Sequence, residues 1–528
     1  MSPEAPLSGG SAKDAPVKEV DVLIVGSGPI GAVFARTLVE GGRKVLMVDI
    51  GEQETRRVGD HKKNSVAVQK DISLFTKTQE LSYVLNGQNP HQKASENLPA
   101  AAASRVVGGM GSHWTCCTPR QHPDIERSKL FSDEKWDELY AELERMMDTN
   151  ETSFDDSIRQ QLVKHTLADA YENVNREMKS MPLACKRSEK NKDYVEWSCS
   201  ATILGELADP KYNGGAFELR PNTQCIKLER RDVDGKIQGA LLEDLMNARK
   251  YLVKANKYVI CAGAVLTPGI LYNSGFRRDT LPALGRYMTE QPMAFCQVVL
   301  SRKLVDSVEK DPYHLGWKKI VKEHRELHPN DPLPFPFNDP DPQCYFPLSE
   351  EYRWHTQIHR DAFGYGQVPA AIDQRVVVDL RWFGYVEPEE TNCVEFTTDI
   401  KDEFGMPQPT FKFTMNRDDS DRCGAMITDM VEVARKLGGF LPGAEPKYLA
   451  PGSALHICGT YRAGDEKKEN HKKESVVDRY GKVWGQDNLV LGGCGVIPTK
   501  QACNPTLTAG CFALAAARKM LEELKPRK

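Results

Sequence analysis

Several features that define other protein classes are missing from this chain. No run of about 18 or more apolar residues occurs, so no transmembrane helix is expected. The N-terminus lacks the apolar segment of a secretory signal peptide, and residues 1–17, rich in Ser, Gly, Ala and Pro, predict a disordered tail. The C-terminus carries no prenylation or common peroxisomal signal. We therefore expect an intracellular protein or one exported by an unconventional route.

Metal-binding cysteine patterns and an excess of basic charge are missing too. The 14 cysteines include no CxxC pair, and the adjacent Cys116 and Cys117 cannot share one metal ion at zinc-like spacing. Lys and Arg number 70 against 74 Asp and Glu, so the chain is not a broadly basic nucleic-acid binder. We predict buried free thiols, no metal site, and no nucleic-acid or membrane partner.

The chain does contain a strand–helix–strand unit at 20–49. A continuous apolar run at Asp21–Gly26 is typical of a buried parallel strand, a helix follows from Ile30, and a second strand ends at Asp49. Further helices and parallel-type strands alternate along the chain, which indicates an α/β fold. At about 150 residues per domain, the 528 residues correspond to three or four domains.

The turn of that unit is a glycine loop typical of dinucleotide-binding proteins. Gly26, Gly28 and Gly31 fit the pattern GxGxxG: the first allows a tight turn, the second lets the backbone approach a pyrophosphate, and the third packs helix on strand. Asp49 lies 23 residues after Gly26, where an acid can bind a ribose hydroxyl. A purely structural turn is the alternative, and the motif does not separate FAD from NAD.

A second glycine-rich segment, Arg105–Thr115, favours FAD over NAD, because a second close backbone approach suits a large flat cofactor. Its GGMGSHWTCCTPR run resembles the flavin-attachment segment of fungal pyranose 2-oxidases, within the glucose–methanol–choline (GMC) oxidoreductases. In that segment a histidine is linked through a ring nitrogen to the flavin 8α-methyl group. The resemblance implies FAD attached covalently through His113, with Thr115 near flavin N5 and O4. Without the resemblance, a buried core histidine is the simpler interpretation.

The resemblance extends over nearly the whole chain. Cys261–Gly275 is similar to the second signature of the family, although Phe276 and Arg277 depart from its usual ending. The resemblance also implies further cofactor contacts, at Gly109, Cys225, Ala262, Gly263, Gly495 and Thr506.

His456 and Asn504, 48 residues apart, are the candidate catalytic pair. Oxidising an alcohol by hydride transfer requires removal of its hydroxyl proton, for which a histidine is suited, and an asparagine beside it can orient the same hydroxyl. A buried structural His and an Asn capping the next helix are the alternative. The family pattern, a His after Leu and an Asn before Pro-Thr, matches both residues.

A polar and aromatic segment at 354–366 resembles the substrate-recognition loop of the same enzymes. Polar groups bind sugar hydroxyls and rings cover C–H faces, so this composition suits a sugar, although an aromatic surface loop is the alternative. The resemblance implies substrate contacts at Gln357, Asp361, Phe363, Tyr365, Arg381 and Leu455. Gly364 replaces the serine expected in the family, which should loosen the loop and alter its gating.

The resemblance implies a Rossmann-like FAD-binding domain of GMC type and a substrate domain of β-sheet plus helices. The expected FAD-binding domain comprises 18–60, 100–125, 215–300 and 450–525. The expected substrate-binding domain comprises 61–99, 126–214 and 301–449, with 305–347 as a small proline-rich appendage.

The implied activity is oxidation of a pyranose, D-glucose, at the C2 hydroxyl, with O2 reduced to H2O2. Three alternatives stay open: a sugar dehydrogenase using quinone acceptors, oxidation at C3 or of a glycoside, and a fungal secondary-metabolism role of the kojic-acid type. Three departures from the family matter, one of which is a charged, insertion-like stretch at His471–Glu474 that we interpret as a solvated surface loop. The segment between Phe75 and Pro90 is short where relatives carry a tetramer arm, which leaves the oligomeric state open, and Ser453 replaces a bulkier apolar residue near the base.

Overall fold

The structure is a computed structural model that describes residues 17–70, 74, 83–85, 89–174, 176–191, 193–231, 234–359 and 368–524. Its strands are β1 Val17–Val25, β2 Val45–Val48, β3 Tyr83–Leu85, β4 Ala102–Ser104, β5 Thr149–Asn150, β6 Lys179–Ser180, β7 Leu183–Arg187, β8 Val195–Trp197, β9 Phe217–Arg220, β10 Thr223–Arg230, β11 Ile237–Asp244, β12 Arg249–Ile260, β13 Met293–Leu300, β14 Gln343–Tyr345, β15 His355–His359, β16 Val377–Phe383, β17 Cys393–Glu395, β18 Thr410–Lys412, β19 Gly438–Phe440, β20 Lys447–Tyr448, β21 Ala463–Gly464, β22 Val477–Asp478 and β23 Leu489–Leu491. Its α-helices are α1 Pro29–Glu40, α2 Val66–Lys70, α3 Asp133–Met146, α4 Ile158–Tyr171, α5 Ser200–Leu204, α6 Gly263–Asn273, α7 Arg302–Ser307, α8 Trp317–Leu327, α9 Arg417–Leu437, α10 His471–Glu474 and α11 Thr506–Glu523.

The first sheet has seven strands and a parallel centre. β1 lies between β12 and β2, β9 follows β2, and β23 pairs with the end of β12, all in parallel. The antiparallel hairpin β10–β11 extends the sheet on the other half of β12. Because Val25 pairs with both Val48 and Ile260, the carboxyl ends of three strands share one edge. The strand–helix–strand prediction for 20–49 is confirmed.

Helices cover this sheet and bury its apolar residues. α1 packs against α11, and α11 packs against α3. Phe34, Trp136 and Phe512 belong to one buried cluster together with the central strands, and Trp136 meets Phe512 edge to face, with ring centroids 5.3 Å apart. This core fixes the three helices relative to the edge where β1, β2 and β12 end.

The second sheet has seven strands and is antiparallel, with β16 between β13 and β15. Its side chains alternate strictly. The even-numbered residues Ala294, Ile358, Leu380 and Trp382 enter an apolar core together with residues of α9. The odd-numbered residues on the other face are mostly polar, namely Gln297, His355, Gln357, His359, Asp379 and Arg381. Since these polar residues are also buried, that face must be covered by another part of the protein.

Two elements, one strand and one helix, belong to a sheet or core other than the one their predicted domain range implies. β13 falls within the range expected for the FAD-binding domain, yet it pairs with β16 in the second sheet. Helix α3 falls within the range expected for the substrate domain, yet Trp136 and Leu139 pack in the first core. The segment 305–347 contributes Trp317, Val321 and Phe335 to the second core instead of standing apart. Within the described residues, no helix combines the length and apolar character needed to cross a membrane.

Candidate active site

A large cavity lies at the edge where the parallel strands end. Its walls include the residues that directly follow β1, β2 and β12, namely Gly26, Asp49 and Cys261. Ligands of open α/β sheets bind outside the carboxyl ends of the strands, so the position of the cavity follows from the topology.

Three helices begin at this cavity. The residue pairs at their N-termini, Gly28–Pro29 of α1, Ala262–Gly263 of α6 and Pro505–Thr506 of α11, all line its wall. The first N–H groups of a helix lack partners within the helix and carry a partial positive charge, which favours an anionic ligand. A cavity wall that includes such helix ends suits a ligand with a negatively charged diphosphate, such as FAD.

The glycines of the loop hold backbone segments in close contact. Gly26 has a φ of +101°, and a Cβ added there would lie 2.4 Å from the carbonyl oxygen of Cys261. A Cβ on Gly31 would lie 2.1 Å from the carbonyl oxygen of Gly26, so Gly31 packs helix on strand beneath the cavity. At Gly263, which lines the cavity, no atom lies within 4 Å of the Cβ position, so the wall is open there.

Asp49 links the two glycine segments. Its carboxylate accepts hydrogen bonds from the Ser27 N–H at 2.8 Å and the Ser27 hydroxyl at 2.6 Å. The Gly108 N–H donates to that hydroxyl at 2.9 Å. Burial raises the pKa of Asp49, and the bonds from Ser27 and Gly51 act in the opposite direction. Asp49 therefore orders the loop in addition to lining the cavity.

A second, smaller cavity adjoins the first, because Met110, Trp114, Leu455, His456 and Thr506 line both. We call it the reaction chamber. Its other lining residues come from β13, β15, β16 and the segments around His113 and Asn504: His113, Thr115, Met293, Gln357, Arg381, Phe383, Ala454 and Asn504. The polar face of the second sheet is thus covered by the nucleotide-binding half of the protein.

His456 and Asn504, far apart in sequence, meet in this chamber. Asn504 Nδ2 lies 3.3 Å from His456 Nε2. Gln357 Nε2 donates to Asn504 Oδ1 at 2.7 Å, which leaves the Asn504 amide nitrogen directed at the histidine. The ring of Phe383 lies beside that of His456, with centroids 5.8 Å apart.

Two side chains from one short segment hold His456. His456 Nδ1 lies 2.8 Å from Gln291 Oε1, and the His456 backbone N–H donates to the Glu290 carboxyl group at 3.1 Å. Leu455, directly before the histidine, adopts a left-handed φ of 60°, a conformation that costs a non-glycine residue about 1–3 kcal/mol. Strained backbone and specific side-chain contacts therefore fix the position of His456.

Burial controls the protonation states in and beside the chamber. It lowers the pKa of His456 to about 4, and it lowers those of His113 and His355 to about 3. Burial also raises the pKa of Glu290 to about 8. At neutral pH the three imidazoles are neutral, and Glu290 is mainly the uncharged acid.

Arg381 places a buried positive charge on the chamber wall. Its Nη1 lies 2.9 Å from His359 Nε2, and its Nη2 lies 3.6 Å from the Asp379 carboxylate. Gln297 donates to the same carboxylate at 3.0 Å. The charge is thereby compensated, so the guanidinium can be held in a buried site.

His113 is fully buried at the chamber wall. Its Nδ1 lies 3.0 Å from the Ser112 hydroxyl, and the short helical turn Gly109–Ser112 precedes it. The neighbouring His61 approaches the Trp114 carbonyl oxygen with Nε2 at 3.0 Å. Among the described residues, no group of three or more His, Cys, Asp or Glu side chains is arranged to hold a metal ion.

Most residues selected from the sequence lie at these two cavities. Gly26, Gly28, Asp49, Gly109, Cys225, Ala262 and Gly263 line the large one, Thr506 and Leu455 line both, and Thr115, His113, Gln357, Arg381 and Asn504 line the chamber. Gly31 and Gly495 line neither; a Cβ at Gly495 would lie 2.1 Å from the Tyr461 ring. Asp361, Phe363, Tyr365 and Gly364 lie outside the described residues.

Sequence reasoning missed several chamber residues. Met293 and Phe383 lie opposite each other on β13 and β16, and Ala454, not Ser453, lines the chamber. The Ser453 hydroxyl donates to the Ala450 carbonyl oxygen at 2.6 Å. The period of two along β16 offered a signal for Phe383, because Arg381 and Phe383 must share a face.

The chain matches two models of the GMC oxidoreductase family, over residues 21–293 and 388–513. A pyranose 2-oxidase from Emericella nidulans is 41% identical over 97% of this chain and 94% of its own length. A C-glycoside 3-oxidase from Arthrobacter globiformis is 28% identical over 96% of this chain and 95% of its own.

Solved structures agree on the fold. An Aspergillus oryzae formate oxidase variant, studied for its FAD modification, superposes with a TM-score of 0.65. It covers 96% of this chain and 98% of its own at 14% identity, a level that speaks for the fold alone.

Proposed function

The chain belongs to the GMC oxidoreductase family, and we propose that it oxidises a pyranose sugar, D-glucose, at the C2 hydroxyl while O2 is reduced to H2O2. The observation that carries the proposal is the His456–Asn504–Gln357 row in a chamber that adjoins the FAD cavity. The 41% identity to a pyranose 2-oxidase over 97% of the chain supports the substrate class.

The cavity, its glycine loops and its three helix N-termini fit FAD. FAD held by these residues would supply the acceptor for the hydride of the alcohol carbon and a route for its electrons to O2. The residues of this chain handle the proton. His456, neutral above about pH 4, offers Nε2 to the substrate hydroxyl and takes its proton as the general base. Asn504 holds the same hydroxyl in position through its amide nitrogen.

The chamber wall has the composition that a sugar requires. Gln357 and Arg381 offer hydrogen-bond donors for ring hydroxyls, and Met293 and Phe383 provide an apolar surface for C–H faces. A donor set that pairs with hydroxyls discriminates against analogues that lack them, because buried polar groups would then be left unpaired.

We further propose that His113 attaches the flavin covalently through a ring nitrogen. Its position on the chamber wall and its neutral ring, held by burial at a pKa of about 3, support the assignment, because only an unprotonated nitrogen can form the bond. After acid precipitation the yellow colour should stay with the polypeptide. His113→Ala should release the flavin into the supernatant, and free flavin from the native protein would overturn the attachment.

The activity is tested by incubating the purified flavoprotein with D-glucose in air. We expect peroxide release and a product whose NMR spectrum is that of the 2-keto sugar. A 3-keto product would show that the sugar is oxidised at C3 instead of C2. Turnover with benzoquinone but not with O2 would identify a dehydrogenase. Absence of flavin reduction by D-glucose and by other pyranoses and glycosides would overturn sugar oxidation itself.

A further inference from the structure

One buried side chain contacts the catalytic base without lining either cavity. Gln291 is 4% exposed and directly precedes the Pro292–Met293 entry into β13. Its Oε1 lies 2.8 Å from His456 Nδ1, on the side of the ring opposite to Asn504. The amide therefore sits where it can act on the chemistry of the histidine without touching a substrate.

The orientation of this amide is fixed by its other contacts. Gln291 Nε2 donates to the carbonyl oxygens of Gln501 at 3.0 Å and Cys503 at 2.9 Å. Carbonyl oxygens only accept hydrogen bonds, so the NH2 group must face them. A flipped amide would put Oε1 against two acceptors in a buried site, which is strongly unfavourable.

Because Oε1 only accepts, the imidazole must donate to it. Nδ1 then carries the proton of the neutral ring, and the lone pair lies on Nε2. Nε2 is the nitrogen on the Asn504 side, where the substrate hydroxyl would be held. The other tautomer would place a hydrogen on Nε2, so His456 would offer no lone pair to the substrate hydroxyl.

We propose that Gln291 is a positioning residue that holds His456 in the Nδ1–H tautomer required for it to act as the base. The inference rests on the proposed sugar oxidation and adds a residue that acts on the reaction through its contact with His456, without touching the substrate. A histidine held in the wrong tautomer by its neighbour is known to lose most of its catalytic value, so the contact is of direct consequence for the rate.

Gln291 also ties together the two segments that carry the catalytic pair. Its two acceptors, Gln501 and Cys503, lie just before Asn504. Glu126 holds the same segment independently, since its Oε1 accepts from the N–H groups of Ala502 and Cys503 at 2.7 and 3.0 Å. The segment should therefore keep its position when the Gln291 amide is removed.

The test compares two substitutions of Gln291. Gln291→Leu removes the acceptor, and we expect sugar-driven flavin reduction to fall about 10–100-fold, less than the about 10²–10⁴-fold loss of a general base, with little change in sugar KM. Gln291→Glu should keep the rate within about tenfold. Beside two carbonyl oxygens its carboxyl group stays protonated, donating with one oxygen and accepting from Nδ1–H with the other.

Gln121→Leu is the matched control. Gln121 is equally buried and donates to Gln501 Oε1 at 3.2 Å, so it supports the same segment without reaching His456. We expect its flavin-reduction rate to stay near that of the native protein. A purely structural role for Gln291 would make Gln291→Leu resemble this control or make both Gln291 variants equally slow, and either result would overturn the proposal.

A second readout does not depend on turnover. In ¹⁵N-histidine-labelled holoenzyme, the His456 signals, assigned by their loss in His456→Asn, should show a protonated Nδ1 and an unprotonated Nε2. Gln291→Leu should lose this pattern, and an unchanged pattern would contradict the proposal. If no pyranose reduces the native flavin, sugar oxidation fails while the tautomer comparison still decides the role of Gln291.

Discussion

At the scale of single residues, burial lets His456 serve as a base in a pH range where an exposed histidine is largely protonated. Its pKa is lowered from an ordinary value near 6.5 to about 4 because the charged ring loses its hydration. The active form is the unprotonated one. Activity is therefore retained as the pH falls through 6.5 and is lost as the pH falls through about 4.

We expect the acid limb of kcat/KM for the sugar to lie near pH 4, measured by peroxide release over a pH series in which the protein stays folded. His456→Ala should lower sugar-driven flavin reduction about 10²–10⁴-fold and remove this limb. An acid limb at about pH 6.5 would show that His456 titrates as an exposed side chain. An unaltered rate of flavin reduction in His456→Ala would show that His456 is not the general base.

At the scale of elements, helix α6 contains a proline that a distant side chain compensates. Pro268 has no N–H group, so the carbonyl oxygen of Ala264, four residues earlier, lacks its helical donor. The hydroxyl of the fully buried Thr460 donates to that oxygen at 2.6 Å. The segment after the catalytic histidine thereby completes a helix whose N-terminus lines the FAD cavity.

We predict that Thr460→Val destabilises the protein by about 1–3 kcal/mol, because a buried carbonyl oxygen is left unpaired. Adding Pro268→Ala should recover much of this loss, since an alanine in place of the proline restores the N–H donor within the helix. Thermal melting of the two single variants and the double variant measures the coupling between the two sites. Additive effects would show that Thr460 does not act on the Ala264 carbonyl oxygen.

Helix α9 contacts the second sheet through one buried carboxylate in addition to the apolar core. Asp429 pairs with Arg176 at 2.6 Å and accepts from the indole N–H groups of Trp354 at 2.8 Å and Trp382 at 2.7 Å. Arg176 in turn lies over the Tyr352 ring, 3.8 Å from its centroid. All the donors converge on one buried acceptor, so its charge cannot be removed without leaving Arg176 uncompensated.

Asp429→Asn should therefore cost about 3–5 kcal/mol, the range measured for breaking one partner of a buried ion pair. Asp421→Asn on the same helix is the control, because its partner Arg417 lies 3.7 Å away and both are largely exposed. Exposed pairs contribute about 0–1 kcal/mol. Similar melting temperatures for the two variants would show that the Asp429 contacts do not stabilise the sheet.

These elements also show what the sequence could and could not predict. The glycine loop, β16 and the closing helix were found because each carries a local signal: a motif, a period of two or a long apolar face. The sequence contains no indication of which strand β13 pairs with, because strand pairing depends on partners far along the chain, here residues 377–383. The sequence carries no local signal for the role of Gln291, because that role arises only from the three segments that meet around it.

At the scale of the whole molecule, the two cavities unite residues from nearly the full length of the chain. Gly26, near the start, and Thr506, in the closing helix, line the same cavity wall. Dividing 528 residues by a typical domain length over-counts for this reason, since two large sheets share one site. Neither sheet can present the site alone, because the first supplies the FAD cavity and the second supplies the polar chamber wall.

This shared site predicts that FAD stabilises the entire fold. Unfolding either sheet would disrupt the site and release a reversibly bound cofactor, so binding adds to the free energy of unfolding, by about 2.7 kcal/mol at a ligand concentration of 100 Kd.

His113→Ala should hold FAD reversibly and allow an FAD-free form to be prepared. That form should melt at a lower temperature than the reconstituted one, and added FAD should restore the difference in a concentration-dependent way. The native protein, taken through the same removal procedure, is the control and should keep both its flavin and its melting temperature. Equal melting temperatures with and without saturating FAD would show that cofactor binding is not coupled to the two sheets.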